Sequence, residues 1–140
     1  MKGKTIQWRD EFSTGNDILD IQHKELITRI SKLLEEAELL NTAAISGTID
    51  FLFDYVYSHF VLEEKMMIQT GYPDFEVHLE QHTYYVKYIN NLKKTRLITR
   101  ELISEMQSVL LVWFLEHIIM EDRKMAEHLR EYCHNGYSSN

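Results

Sequence analysis

Seven residues in four separate stretches carry side chains that could hold metal: His23 in "DILDIQHKEL", His59 and Glu63 in "HFVLEE", His78 and His82 in "HLEQH", and His117 and Asp122 in "WFLEHIIMED". Imidazole nitrogens and carboxylate oxygens together suit iron or zinc. The four-residue steps from His59 to Glu63 and from His78 to His82 put each pair on one face of a helix. Apolar residues of the same stretches fall on that face, so the pairs point inward. A buried polar group without a partner costs roughly 1–3 kcal/mol, and an unpaired buried charge costs more. Five histidines and at least one glutamate facing one core therefore need compensation, and metal supplies it.

The elements that must position these residues are legible as stripes. Apolar residues recur at 18/19, 26/27, 30, 33/34 and 37, which predicts a helix over about 17–39, capped near Asn16 or Asp17. A second stripe (45, 49, 52, 56, 59, 63, 66) predicts a helix over about 43–69, ended by Gly71 and Pro73 in "TGYPD". A third (75, 78, 82, 85, 89, 92) predicts about 74–94, with Lys93, Lys94 and Arg96 suited to its negative end. The fourth, about 99–132, runs through 102, 106, 110, 113 and 117 and resumes at 122, 125 and 129.

Four long helices with short connections imply an all-α fold, an antiparallel up-down-up-down four-helix bundle. Residues 1–16 form an N-terminal arm that Trp8 and Phe12 pin to the body. At ~1.5 Å per residue, Glu63 and His82 lie ~12–14 Å from the turn joining their helices, hence at one level. His23 and His59 are each about 16 residues from their own connection, again one level. The heights agree with a single central cluster.

The fourth helix carries an irregularity. On a regular α-helix the partner of His117 would be Glu121, and Asp122 would point about 140° away. The apolar phase beyond the site nevertheless follows 122, 125 and 129. A single π-turn between 117 and 122 produces that shift, turning Asp122 inward and Glu121 outward.

Composition bounds the rest. The 140 residues are 44% hydrophobic and 26% charged with one proline, which fits a single helical domain over 1–140. Fifteen basic against 22 acidic residues give a net charge of −7 without a dense Lys/Arg patch, which argues against nucleic acid and anionic membrane surfaces as partners. Cys133 is the only cysteine, so no internal disulfide forms and a free tail thiol is expected. The start "MKGKTIQWRD" turns charged before an apolar stretch develops, and no apolar run approaches the ~18 residues of a membrane span. A soluble cytoplasmic protein is expected.

One His on the first helix, His-x-x-x-Glu on the second, His-x-x-x-His on the third and His-x-x-x-x-Asp on the fourth resembles the hemerythrin family in its single-domain bacterial form. The "GYP" turn after the second helix adds to the likeness, which spans about residues 8 to 130. The resemblance implies two iron ions (Fe2+/Fe3+). His78, His82 and His117 would hold one, His23 and His59 the other, with Glu63, Asp122 and an oxo or hydroxo group bridging. Counting gives six ligands and five, and dioxygen would take the open position.

Reversible dioxygen binding follows, for storage, sensing, or delivery to an oxygen-consuming enzyme or redox partner, with no catalytic residue. The alternatives are a di-iron redox enzyme (peroxidase, oxidase or nitric-oxide handling) and an iron- or oxygen-responsive regulatory module. A site with two carboxylates and five imidazoles keeps more positive charge than a four-carboxylate site, which favours binding over further oxidation. Tetrahedral zinc would use four ligands and strand three, whereas an iron pair fits the count.

Trp113, Phe114 and Ile118 beside His117, and Tyr55, Val56 and Phe60 beside His59, are candidate walls of an oxygen pocket. Glu64 and Glu121 are expected to be solvated, His128 and His134 to lie on the surface, and Met66 and Met67 to fill core or cap. Tyr85 is expected inside and Tyr88 largely outside.

Overall fold

A computed structural model describes residues 6–40, 42–95 and 97–136, so Arg96 and the start of the arm lie outside the described residues. It is a bundle of four helices, with no strand among the described residues. Helix α1 spans Asp17–Glu38, α2 Thr42–Thr70 and α3 Phe75–Leu92. The fourth, α4, is one rod of mixed winding: α over Arg100–Met106, π over Gln107–Trp113, α over Phe114–His117, π over Ile118–Asp122, α over Arg123–Glu131 and a π end at Tyr132–Gly136.

Local chemistry sets the ends. The Leu19 N–H donates to Asn16 Oδ1 at 3.0 Å and the Leu102 N–H to Thr99 Oγ1 at 3.0 Å, each satisfying a first-turn donor of its helix. Gly71, at φ +64°, turns the chain out of α2 while the Tyr72 N–H returns to the Met67 carbonyl at 3.0 Å. Leu40, 61% exposed, takes the same left-handed role between α1 and α2 at φ +54°, which a non-glycine residue adopts at a cost.

The site is a polar layer between two apolar ones. Toward one end Leu19, Met67, Tyr72, Met125, Ala126 and Leu129 pack together. On the other side a longer core includes Leu26, Ile30, Leu52, Phe60, Tyr85, Ile89, Leu110 and Phe114. Met67 rather than Met66 takes the fully buried position of α2, and on α4 Ile103 and Phe114 are buried where the stripe ran through Leu102 and Trp113. The wide π stretch Gln107–Trp113 was not signalled by the stripe. Buried Tyr85 donates its hydroxyl to the Leu110 carbonyl within that stretch at 2.6 Å, so the buried phenol has a partner.

The arm is docked. Phe12 is buried with Trp8 edge-on to it at 5.7 Å, and the Lys24 ammonium lies 5.4 Å over the Trp8 ring. Asp20 of α1 accepts the Ser13 hydroxyl at 2.6 Å and the Thr14 hydroxyl and N–H at 2.8 Å each. Burial acts to raise the Asp20 pKa, but these hydrogen bonds outweigh it and hold the carboxyl below its ordinary value. From α4, Arg123 donates to the Ser13 carbonyl at 3.2 Å and to the Glu11 carbonyl.

By length and composition alone, the 35-residue helix Arg100–His134 could cross a membrane, which corrects the expectation that no stretch is long and apolar enough. Here its apolar residues Ile103, Met106, Leu110, Phe114 and Ile118 face the bundle core, and the same inward face carries His117 and Asp122. An ionised carboxylate at that depth suits a protein interior better than lipid.

Candidate metal centre

All seven inward residues come together, and each is between 0% and 2% exposed. The two carboxylates divide the five imidazoles. Glu63 turns Oε1 to His82 Nε2 (3.0 Å) and His78 Nε2 (3.4 Å), and Oε2 to His59 Nε2 (2.9 Å) and His23 Nε2 (3.5 Å). Asp122 turns Oδ1 to His78 Nε2 (3.0 Å) and His117 Nε2 (3.2 Å), and Oδ2 to His23 Nε2 (3.0 Å). Two donor groups result, each with its donor atoms within 4.8 Å of one another: Glu63, His78, His82, His117 and Asp122, and His23, His59, Glu63 and Asp122.

Every one of these donor atoms, the five Nε2 and the four carboxylate oxygens, is buried without a hydrogen-bond partner. In an apolar core such a concentration is costly unless cations lie between the groups. The donor set fits metal for that reason, and it fits two ions because each carboxylate offers one oxygen to either side. Burial acts to lower the pKa of His23 and of His78, but the facing Asp122 and Glu63 carboxylates raise both to about 9. Burial acts to raise Glu63 and Asp122, yet the imidazoles around them hold both below the ordinary carboxylate range.

Asp122 reaches the cluster through the π-turn Ile118–Asp122, as the apolar phase of the sequence required. Glu121 stays outside, half-buried beside Trp113 and Met120. Among the pocket-wall candidates, Val56, Phe60, Phe114 and Ile118 are buried, with Phe114 edge-on to His23 at 6.0 Å and Phe60 stacked on His82 at 3.7 Å. Trp113 stacks on His117 at 5.3 Å from the outer side, and Tyr55 lies beneath Arg29 in a surface cleft shared with Gln22 and His59.

Three residues that the stripes do not single out hold the ligands from behind. His59 Nδ1–H donates to Gln22 Oε1 at 2.5 Å, His82 Nδ1–H to Glu64 Oε2 at 2.9 Å, and His117 Nδ1–H to Gln81 Oε1 at 2.6 Å. Each bond leaves the Nε2 lone pair free for the centre. Glu64, expected to be solvated, is only 25% exposed because it spans to His82 on the next helix. The one signal in the sequence is adjacency: Gln22, Glu64 and Gln81 each sit beside an inward residue. His128 is also not a free surface residue. It is half-buried, with Nε2 at 3.1 Å from both the carbonyl and the hydroxyl of Thr70, because the turn after α2 brings that helix end to α4. Tyr88 is half-buried, with its hydroxyl donating to Glu105 at 2.9 Å. Cys133 is a free, exposed thiol.

Comparison with known proteins agrees with this architecture. The "Hemerythrin HHE cation binding domain" family model matches residues 14–129. A bacteriohemerythrin of Stenotrophomonas maltophilia is 27% identical over 127 residues, covering 91% of this chain and 83% of that one. A bacteriohemerythrin of Pseudomonas aeruginosa is 28% identical over 125 residues, 89% of this chain and 82% of that one. A crystal structure of wild-type hemerythrin superposes with a TM-score of 0.79 at 28% identity, covering 90% of this chain and 98% of the other. With the family match extending over most of the chain and the buried His/Glu/Asp cluster at its centre, the protein belongs to the hemerythrin family.

Proposed function

We propose that this protein binds dioxygen reversibly at a pair of iron ions, for storage, delivery or sensing. The observation that carries the reading is the division of donors: Glu63 and Asp122 each give one oxygen to either side, with three imidazoles on one side and two on the other. His78, His82 and His117 would hold one ion and His23 and His59 the other, with both carboxylates and an oxo or hydroxo group between them. When bound, an iron pair supplies the electrons with which dioxygen is taken up and later released.

The chain's own residues set the conditions for release. The unequal count, five donors against four, makes the His23/His59 side the less filled one and therefore the side offered to dioxygen. Buried Val56, Phe60, Phe114 and Ile118 keep water and stray protons from that space. Gln22, Glu64 and Gln81 fix the tautomers of three imidazoles, so ligand exchange does not require ring reorientation.

The test is iron per chain together with the visible spectrum of anaerobic Fe(II)-loaded protein before oxygen, after oxygen and after its removal. Two irons and a charge-transfer band that comes and goes with oxygen support the reading. Prompt, irreversible conversion to the ferric state would replace it with redox enzymology on the same ligands.

A further inference from the structure

The bonds behind the ligands are chemically unequal. Gln22 and Gln81 present neutral amide oxygens to His59 and His117, whereas Glu64 presents a carboxylate to His82. Hydrogen bonds to ionised acceptors are stronger than neutral ones, and a carboxylate behind an imidazole raises its basicity as a ligand. The His82 ring is fixed on a second side by Phe60, stacked at 3.7 Å and 1°. Glu64 itself is 25% exposed and lines a cleft with Phe60, Leu79 and Lys87, so its second oxygen has access to solvent.

We propose that Glu64 is a positioning residue that makes His82 the most strongly donating imidazole of the set, and thereby biases the three-histidine side of the centre toward the higher oxidation state. The inference rests on the metal-pair reading above. It adds a division of labour: the side offered to dioxygen is backed by a neutral amide at Gln22, and the electron-rich side is backed by a full charge at Glu64.

Glu64→Gln is the informative change, because Gln22 and Gln81 show that a glutamine oxygen serves in this position. It should keep the hydrogen bond and two irons per chain while moving the reduction potential of the iron pair upward. In zinc-loaded protein the His82 Nδ1 proton resonance should move upfield while that of His117 stays in place. Glu64→Leu removes bond and charge together and should weaken metal binding about 10–100-fold. The reciprocal Gln81→Glu places a carboxylate behind His117 and should lower the potential, which keeps the test alive if a Glu64 variant folds poorly. An unchanged potential and unchanged His82 resonance in metal-replete Glu64→Gln would overturn the proposal and leave the metal reading intact. Wild-type protein that fails to hold two metal ions would overturn both.

Discussion

His117 and Asp122 are five residues apart in sequence, yet His117 Nε2 lies 3.2 Å from Asp122 Oδ1. The wide turn Ile118–Asp122 brings them together by holding one residue more than an α-turn. Met120, 66% exposed within that turn, is the residue whose removal disturbs the core least. Deleting Met120 would place the histidine and the aspartate four apart on a regular helix, again on one face. The shortened protein is expected to fold and retain metal, with melting temperature equal to or above that of the parent. Loss of metal with intact circular dichroism would mean that the wide turn sets the carboxylate's angle as well as its face.

Truncating a shared ligand should differ sharply from truncating a histidine outside the cluster. Asp122→Ala removes oxygens from both donor groups and should abolish the metal pair, counted by metal analysis. His128→Ala removes the contacts to Thr70 and to the Tyr72 ring, 5.1 Å away, and should keep full metal content while costing about 1 kcal/mol of stability. Equal metal loss in both variants would contradict the ligand assignment.

Stripping metal from the wild type should lower its melting temperature, since a ligand held at about 1,000 times its dissociation constant stabilises by about 4 kcal/mol. Chelation followed by calorimetry checks this. Asp122→Ala should show no such drop, because it has no pair to lose.

Leu40→Gly should stabilise the turn between α1 and α2. The left-handed backbone there costs leucine about 1–2 kcal/mol, and the exposed side chain contributes little burial. Glycine's greater freedom when unfolded returns part of that gain, leaving a net increase of about 0.5–1 kcal/mol in chemical denaturation. A loss of stability would show that Leu40 packs usefully despite its exposure.

The Asp20 latch gives a signed pH dependence. Its carboxyl is held below the ordinary value of 3.8 by Ser13 and Thr14, so its contribution is present above that value and is lost as pH falls through the lowered one. The melting-temperature gap between wild type and Asp20→Asn should therefore be constant near neutrality and close below about pH 4. A gap independent of pH would show that the carboxylate's charge does not hold the arm.

The inward residues are legible in the sequence because His and Glu are costly on an apolar stripe unless a metal meets them, and the bulge is legible because the stripe itself changes phase between His117 and Asp122. Gln22, Glu64 and Gln81 are not legible in the same way. Each is an ordinary polar residue on its own helix, and its role exists only once the neighbouring helix is in place. The same applies to His128, whose partner is a helix-end carbonyl 58 residues away. The π stretch Gln107–Trp113 leaves no trace because apolar residues occupy several of its faces, so a rotation produces no visible break.

The outer hydrogen bonds have an order that reaches beyond metal. Gln22 ties α1 to α2, Glu64 ties α2 to α3, and Gln81 ties α3 to α4. Arg123, also beside an inward residue, ties α4 to the arm, and Asp20 ties the arm back to α1. The result is a closed hoop around the bundle's girth at the height of the site. Sliding any one helix along its axis by a turn of about 5.4 Å would break the hoop on both flanks of that helix. Apolar stripes tolerate such slippage because one leucine substitutes for another, but the hoop admits a single vertical register.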